Sequence, residues 1–253
     1  MKVTLITVCR NVAPVIEETL NSVFEQDHPD IEVIVIDGAS TDGTLDILKD
    51  LARPERGRRV AKLVSEPDKG IYDAMNKGLR LATGDIIGFV NAGDLLMTPN
   101  VLSRVVAAFN KEKVDAIYGD IIMVDEKDIT KVKRKWESGV YRRERFRSGW
   151  MPPHVATFFR KSVYDRFVLF RDDLRIGADY EILLRFLYKE RVATVHLPEV
   201  LVRFRLGGMS NGNVQQVLQA NREVRRSWRL NGFKAPPLLV TRKLWSKVMQ
   251  FFH

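Results

Sequence analysis

The run Ile86-Ile87-Gly88-Phe89-Val90-Asn91-Ala92-Gly93-Asp94 is apolar up to Val90 and then ends in a small, oxygen-rich tip. A continuous apolar run that stops at a turn reads as a strand buried on both faces, as in a parallel sheet. The tip is then a loop at that strand's carboxyl end. In open α/β sheets, ligands bind just outside the carboxyl ends of the strands. That position makes Asp94 a candidate to hold a divalent metal and, through it, a diphosphate.

Working outward, Val3–Val8 and Ile31–Ile36 read as buried strands, Val60–Val64 as a weaker third and Asp85–Val90 as the fourth. Helical spacing fills the intervals, over Val12–Phe24, Thr44–Leu51 and Ile71–Ala82, with Val101–Asn110 after the tip. Strands alternating with helices across short links imply right-handed crossovers and a doubly wound, mostly parallel sheet. That pattern covers residues 1–115. It then changes. Ala116–Tyr118, Ile121–Val124, Thr157–Arg160 and Leu197–Phe204 read as strands and Tyr180–Tyr188 as a helix, with a densely basic stretch over Lys127–Arg147. Residues 116–212 are read as a smaller mixed region of the same domain. Residues 213–253, beginning with the polar helix Val214–Leu230, are read as a basic, amphipathic helical extension.

Three acidic residues follow apolar strands: Asp37 after the second, Asp68 after the third and Asp94 after the fourth. Parallel strands bring all three turns to one edge. Asp37 and Asp68 also suit turn or capping roles, which are common at such places. The trio is more specific than any member.

The 253 residues carry 41 basic against 32 acidic side chains, a net charge of +9, which suits an anionic partner: a nucleotide, a nucleic acid or an anionic membrane. Cys9 is the only cysteine, so no intrachain disulfide can form. The start of the chain lacks a signal-peptide layout, and no stretch approaches 18 apolar residues, so a cytoplasmic location is expected. The turn after the first strand, Cys9-Arg10-Asn11-Val12-Ala13, has no glycine. That excludes the G-x-G-x-x-G dinucleotide fingerprint, and a Walker A loop is absent too. Phosphates would have to be held by a metal on carboxylates and by basic side chains. Four histidines without H-E-x-x-H spacing give no reason to expect zinc.

Ile34-Val35-Ile36-Asp37-Gly38-Ala39-Ser40-Thr41-Asp42-Gly43-Thr44 closely resembles the second-strand motif of family 2 glycosyltransferases of the GT-A fold. Ser65-Glu66-Pro67-Asp68-Lys69-Gly70-Ile71-Tyr72-Asp73-Ala74-Met75-Asn76-Lys77-Gly78 resembles a motif of the bacterial subset that builds cell-surface polysaccharide. So do Ala82-Thr83-Gly84-Asp85 and Phe89-Val90-Asn91-Ala92-Gly93-Asp94, and the opening Thr7-Val8-Cys9-Arg10-Asn11 fits as well. The likeness is strong over residues 3–125 and looser to about 212.

The resemblance implies residue roles. Asp37 would contact the nucleoside and Asp68 the base edge. Thr7, Arg10 and Lys69 would join the same nucleotide site, although Arg10 also suits a surface ion pair. Asp94 would hold Mg²⁺ or Mn²⁺ bridging a diphosphate. The family's usual tip carries two or more aspartates, whereas Asn91 and Gly93 stand at two of those positions here. Asn91 would add a neutral oxygen, and a weaker metal site is implied. In Gly177-Ala178-Asp179-Tyr180-Glu181, likeness to the family's acidic pair makes Asp179 the catalytic base. An aspartate at a helix start is equally suited to be an N-cap. Glu181 would orient it or contact the acceptor. His154, in Pro152-Pro153-His154, would line the acceptor or diphosphate side or serve as a structural histidine. Arg203 and Arg205, with Gly207-Gly208-Met209-Ser210, would close over the diphosphate or form the charged ends of a strand face.

The expected function is inverting transfer of a sugar from a nucleotide donor to a saccharide or lipid-linked saccharide. A sugar nucleotidyltransferase shares the sheet type but needs a glycine-rich loop after the first strand, which is missing. A nucleic-acid-binding protein accounts for the charge, but the basic residues are scattered and no reading motif stands out. Nucleic acid is therefore not the expected partner. The segment 238–252 mixes aromatics and leucines with basic residues. It suits either an anionic inner-membrane surface or packing on the domain or on a second subunit of a homo-oligomer.

Overall fold

A computed structural model of the chain describes residues 1–57, 60–207, 214–237 and 239. In chain order the elements are β1 (Val3–Cys9), α1 (Ala13–Phe24), β2 (Ile31–Asp37), α2 (Thr44–Leu51), β3 (Lys62–Ser65), α3 (Ile71–Leu81), β4 (Ile86–Phe89), β5 (Leu95–Leu96) and α4 (Val101–Lys111). The second half adds β6 (Ala116–Val124), β7 (Val132–Trp136), β8 (Thr157–Arg160), α5 (Lys161–Phe167), α6 (Ala178–Leu183), β9 (Thr194–Arg205) and α7 (Val214–Leu230). α6 runs on as π-type turns over Leu184–Lys189.

One sheet joins both halves in the order β3-β2-β1-β4-β8-β6-β9-β5, with β7 hanging off β6. β3, β2, β1 and β4 are mutually parallel. β8 then enters antiparallel between β4 and β6, and β9 runs parallel to β6. Every residue of β1 and β4 is buried, as their unbroken apolar runs demand. Alternate side chains feed two cores. Ile6, Ile34, Ile36, Ile87 and Phe89 face α3, α6 and α7, while Leu5, Val33, Val35 and Ile86 face α1, α2 and α4. Gly88 sits mid-strand because a Cβ there would come within 2.5 Å of the Phe158 ring. Gly78 lets α3 lie against the sheet, since its Cβ would meet Ile6 at 2.5 Å.

The parallel half follows the expected layout closely. The second half departs from it. The two stretches at 116–118 and 121–124 are one strand, and β5, β7 and α5 were not expected. β5 is two residues long and owes its form to pairing with β9, Leu95 opposite Arg203. Within the segment 238–252 only Leu239 is described, and it is 1 % exposed in the core beside Trp228. The rest of that segment, and Gly208-Met209-Ser210, lie outside the described residues. Among the described residues no helix is long and apolar enough to cross a membrane.

Candidate active site

Register brings the first turns together. Cys9 lies opposite Asp37, and Asp37 opposite Ser65, so β1, β2 and β3 end side by side. Asp37 is fully buried. Its carboxylate accepts the Ser65 hydroxyl at 2.6 Å, the Ser40 main-chain N–H at 3.0 Å and the Ser40 hydroxyl. The turn it organises holds Ala39 at φ 55°, a left-handed conformation that costs a residue with a Cβ about 1 kcal/mol. Such strain persists where the surroundings over-determine it, and here they do. The N–H groups of Asn11, Val12 and Ala13 donate to Ser40 Oγ (2.8 Å), Thr44 Oγ1 (2.9 Å) and Asp42 Oδ2 (3.1 Å). The second loop therefore caps α1, which has no side-chain cap of its own.

Asp68 and Arg10 both pack against Gly38. A Cβ on Gly38 would lie 3.0 Å from Asp68 Oδ2 and 3.4 Å from the Arg10 side chain. Lys77, on α3, holds the Asp68 turn from the other side, donating to Asp68 Oδ1 (2.7 Å), Glu66 Oε1 (2.8 Å) and the Pro67 carbonyl (3.1 Å). Partial burial disfavours its ammonium, but the bonds to Asp68 and Glu66 outweigh that and hold its pKa above the usual lysine range. Lys69 is exposed, and its main-chain N–H donates to Asp73 at 3.1 Å.

The Asn91–Asp94 tip follows directly on β4. Asp94 N–H closes a turn onto the Asn91 carbonyl (2.9 Å), and Gly93, at φ 98°, donates to Thr19 Oγ1 (2.8 Å). Asp94 is 4 % exposed, and burial pushes its carboxyl up to about 8, against the pull of Arg205. Its bond is from the Arg205 main-chain N–H at 3.3 Å. The Arg205 guanidinium instead binds the Gly93 carbonyl (3.2 Å), the Glu126 carbonyl (3.0 Å) and Glu18. Asn91 Oδ1 is buried with no hydrogen-bond partner among the described residues. A hard divalent cation fits this tip, which offers a buried carboxylate with no ion pair among the described residues and an orphaned amide oxygen. Among the described residues no three His, Cys, Asp or Glu side chains cluster to hold a metal. One bound here would take its other ligands from a diphosphate and water.

Asp179 stands in the first turn of α6, where Gly177 occupies the N-cap position and the Asp179 carboxylate accepts its neighbour's N–H, from Tyr180, at 2.7 Å. The loop leading to it is tied to α3. Asn76 bonds both the N–H and the carbonyl of Phe170 at 2.9 Å, and Tyr72 donates its hydroxyl to the Ile176 carbonyl at 2.6 Å. Burial, and then the nearby Asp179 charge, hold the Tyr72 phenol well above its usual pKa. The helix that follows the Asp68 turn thus also grips the loop that presents Asp179. Tyr72, Asn76 and Lys77 lie within the motif that follows Ser65, and nothing in their sequence pattern signals these partners.

The remaining candidates sit in four different surroundings. Thr7 is fully buried inside β1, its hydroxyl without a partner among the described residues, so it does not reach the surface of the site. Glu181 is 2 % exposed and is taken up by Arg185 (2.9 Å) and Asn231 (3.0 Å), which leaves it packed within the fold rather than open to an acceptor. His154 is 6 % exposed between Phe89 (5.1 Å) and Phe170 (5.4 Å), and burial pushes its imidazole down to about 4, so it is neutral near pH 7. Arg203 lies opposite Leu95 of β5 and donates its Nε–H to Met97 Sδ at 3.4 Å.

A sheet whose parallel half ends in the Asp37 turn and the Asp94 tip, continued by a mixed half that brings the acidic start of α6, is that of the GT-A class of glycosyltransferases. The chain belongs to glycosyltransferase family 2: residues 4–169 match the family described as "Glycosyl transferase family 2". It is 32% identical over 241 residues to the "PGL/p-HBAD biosynthesis glycosyltransferase" of Mycobacterium tuberculosis, covering 94% of this chain and 89% of the relative. It is 28% identical over 220 residues to an uncharacterized glycosyltransferase of Nostoc, covering 83% of this chain and 66% of the relative. Staphylococcus aureus TarS 1–349 in complex with UDP has the same fold, with a TM-score of 0.69 at 19% identity over 96% of this chain and 68% of the other. So does a Pyrobaculum calidifontis mannosyltransferase in complex with GDP-Man and Mn²⁺, with a TM-score of 0.68 at 24% identity over 96% and 69%.

Proposed function

We propose that this glycosyltransferase moves a sugar, with inversion, from a nucleoside diphosphate donor to a saccharide or lipid-linked saccharide used in cell-surface polysaccharide. The observation that carries this reading is the tie between the two halves of the site: α3 begins at the Asp68 turn and holds, through Tyr72, the loop before Asp179.

In this reading Asp37 and Asp68, with Arg10, receive the nucleoside. Asp94 and Asn91 hold Mg²⁺ or Mn²⁺. The metal, when bound, neutralises charge on the departing diphosphate. Asp179 accepts the proton of the acceptor hydroxyl as that oxygen attacks the anomeric carbon from the face opposite the diphosphate. The new bond forms as the old one breaks, so no covalent sugar–enzyme intermediate arises. The neutral, buried His154 walls the end of β4. The UDP complex of TarS and the GDP-Man complex of the mannosyltransferase support a nucleotide-sugar donor.

A thermal-shift screen of UDP-, GDP- and dTDP-sugars with and without Mn²⁺ tests the reading, because a ligand of the folded state raises stability as RT ln(1 + [L]/Kd). One donor class is expected to raise the midpoint, more so with Mn²⁺. No shift with any of them, together with no donor hydrolysis or transfer, would sink it.

A further inference from the structure

α7 lies beyond the residues that match the family, and its polar, basic sequence suggests an outer extension. Its inner face does something more specific. Glu223, 8 % exposed, turns its carboxylate onto three consecutive main-chain N–H groups: Arg175 (3.2 Å), Ile176 (2.9 Å) and Gly177 (2.8 Å). These are the residues that lead into Asp179. Burial disfavours the Glu223 charge, yet the donors around it outweigh burial and hold its pKa below the usual range. The approach is close, since a Cβ on Gly177 would lie 3.0 Å from Glu223 Cβ and one of the two would have to shift by a few tenths of an ångström. Arg226, one turn on, holds the same loop at Asp173. Trp228 Nε1 donates to the Tyr180 hydroxyl at 2.9 Å, and Asn231 donates to Glu181 at 3.0 Å, so α7 also grips α6 itself.

We infer that Glu223 is a positioning residue for the transfer step, fixing through the N–H groups of residues 175–177 where the start of α6 presents Asp179. The inference rests on Asp179 being the base. A carboxylate suits the task because it accepts several N–H bonds and donates none. Its bonds to charged-group strength make the loop stiff, and a misplacement of about 1 Å in a reacting group can cost on the order of 100-fold in rate. Glu223 touches no reacting atom, so donor binding should not depend on it.

The test compares full-length wild type, Glu223→Ala, Glu223→Gln, Asp179→Asn and the double variant Asp179→Asn/Glu223→Ala. Transfer rate at saturation and donor Kd by calorimetry are read for each. Glu223→Ala is expected to lower kcat about 10- to 100-fold with donor Kd within about threefold. Glu223→Gln should recover part of that loss, because its amide oxygen still accepts from Ile176 and Gly177. In the Asp179→Asn background, Glu223→Ala should cost nothing further, as for residues that act as a unit. An unchanged kcat in Glu223→Ala, a loss of donor binding equal to the loss of kcat, or the full loss repeated in the Asp179→Asn background would each overturn the inference. Full activity of Asp179→Asn would instead overturn the base assignment on which it rests. If Glu223→Ala does not fold, Gly177→Ala displaces the same loop from the other side. It should show the same selective loss of kcat, and wild-type kcat there overturns the inference.

Discussion

The Arg205 main chain donates to the Asp94 carboxylate across 3.3 Å, while the Arg205 guanidinium turns aside to Glu18 and two carbonyls. Asp94 is therefore buried beside an arginine that does not form an ion pair with it. Without a cation the fold must keep this carboxyl largely protonated where the unfolded chain would ionise it, which is costly, and that cost can be read out.

Asp94→Asn keeps the shape and removes a group that the unfolded chain ionises but that burial holds largely as the neutral acid in the fold, its carboxyl pushed up to about 8. In metal-free buffer at pH 7.5 it should stabilise the fold by about 1 kcal/mol, which moves the melting point up by roughly 2–4 °C for a chain of this size. Mn²⁺-stimulated transfer should fall by at least about 100-fold. Calorimetric melting and a radiolabelled transfer assay check both. Retained metal-stimulated transfer would remove Asp94 from the metal site.

Tyr72→Phe deletes the bond to the Ile176 carbonyl. A lost buried hydrogen bond costs about 1 kcal/mol. The loop before Asp179 should loosen, lowering kcat about tenfold while donor Kd moves by less than about threefold. Stopped-assay kinetics with calorimetric donor titration separate the two effects.

Lys77→Met leaves the Asp68 turn without its central cation. Here the loss should fall on the donor side: Kd for the nucleotide weakens about tenfold, since a charge-assisted bond contributes about 1.5–3 kcal/mol, and kcat changes little. An unchanged donor Kd would show that the turn holds its shape without Lys77.

Gly88→Ala places a methyl group 2.5 Å from the Phe158 ring in the middle of the sheet. Overpacking of this kind costs about 1–3 kcal/mol. Urea unfolding should show a lower midpoint with an unchanged slope.

Glu32 sets an acid limb far from the site. It accepts the Thr4 hydroxyl (2.7 Å) and the Thr83 N–H and hydroxyl (each 2.8 Å), with Lys62 at 3.3 Å and Lys2 at 3.4 Å. Burial alone would raise its pKa, but these donors outweigh burial and hold it at about 2, below the 4.5 of the free side chain. A lowered folded pKa means stability that is complete above about pH 4.5 and is lost as the pH falls toward 2. The contribution is about 3 kcal/mol at neutral pH. Glu32→Gln should lose it at pH 7 and show a flatter decline in melting point between pH 5 and 2.

The sequence by itself determined the parallel half. Its apolar runs, its turn residues and their spacing are local properties, and period-two alternation assigns Leu5 and Ile6 to opposite cores without knowledge of any partner. It also placed Asp37, Asp68 and Asp94 at one edge, because parallel strands leave no other place for those turns. Only the tertiary structure decided what each group meets. β5 is a strand because β9 lies beside it. Glu181 and Glu223 read alike in the sequence, yet one is spent on Arg185 and Asn231 and the other on the loop before Asp179. Arg205, which reaches Asp94 from 111 positions away, gives that carboxylate only its main-chain N–H and its guanidinium to Glu18. Hydrophobic periodicity records which face of an element is buried. It does not record which distant donor faces a buried acceptor, and that pairing sets the charge, the stiffness and the chemistry of the site.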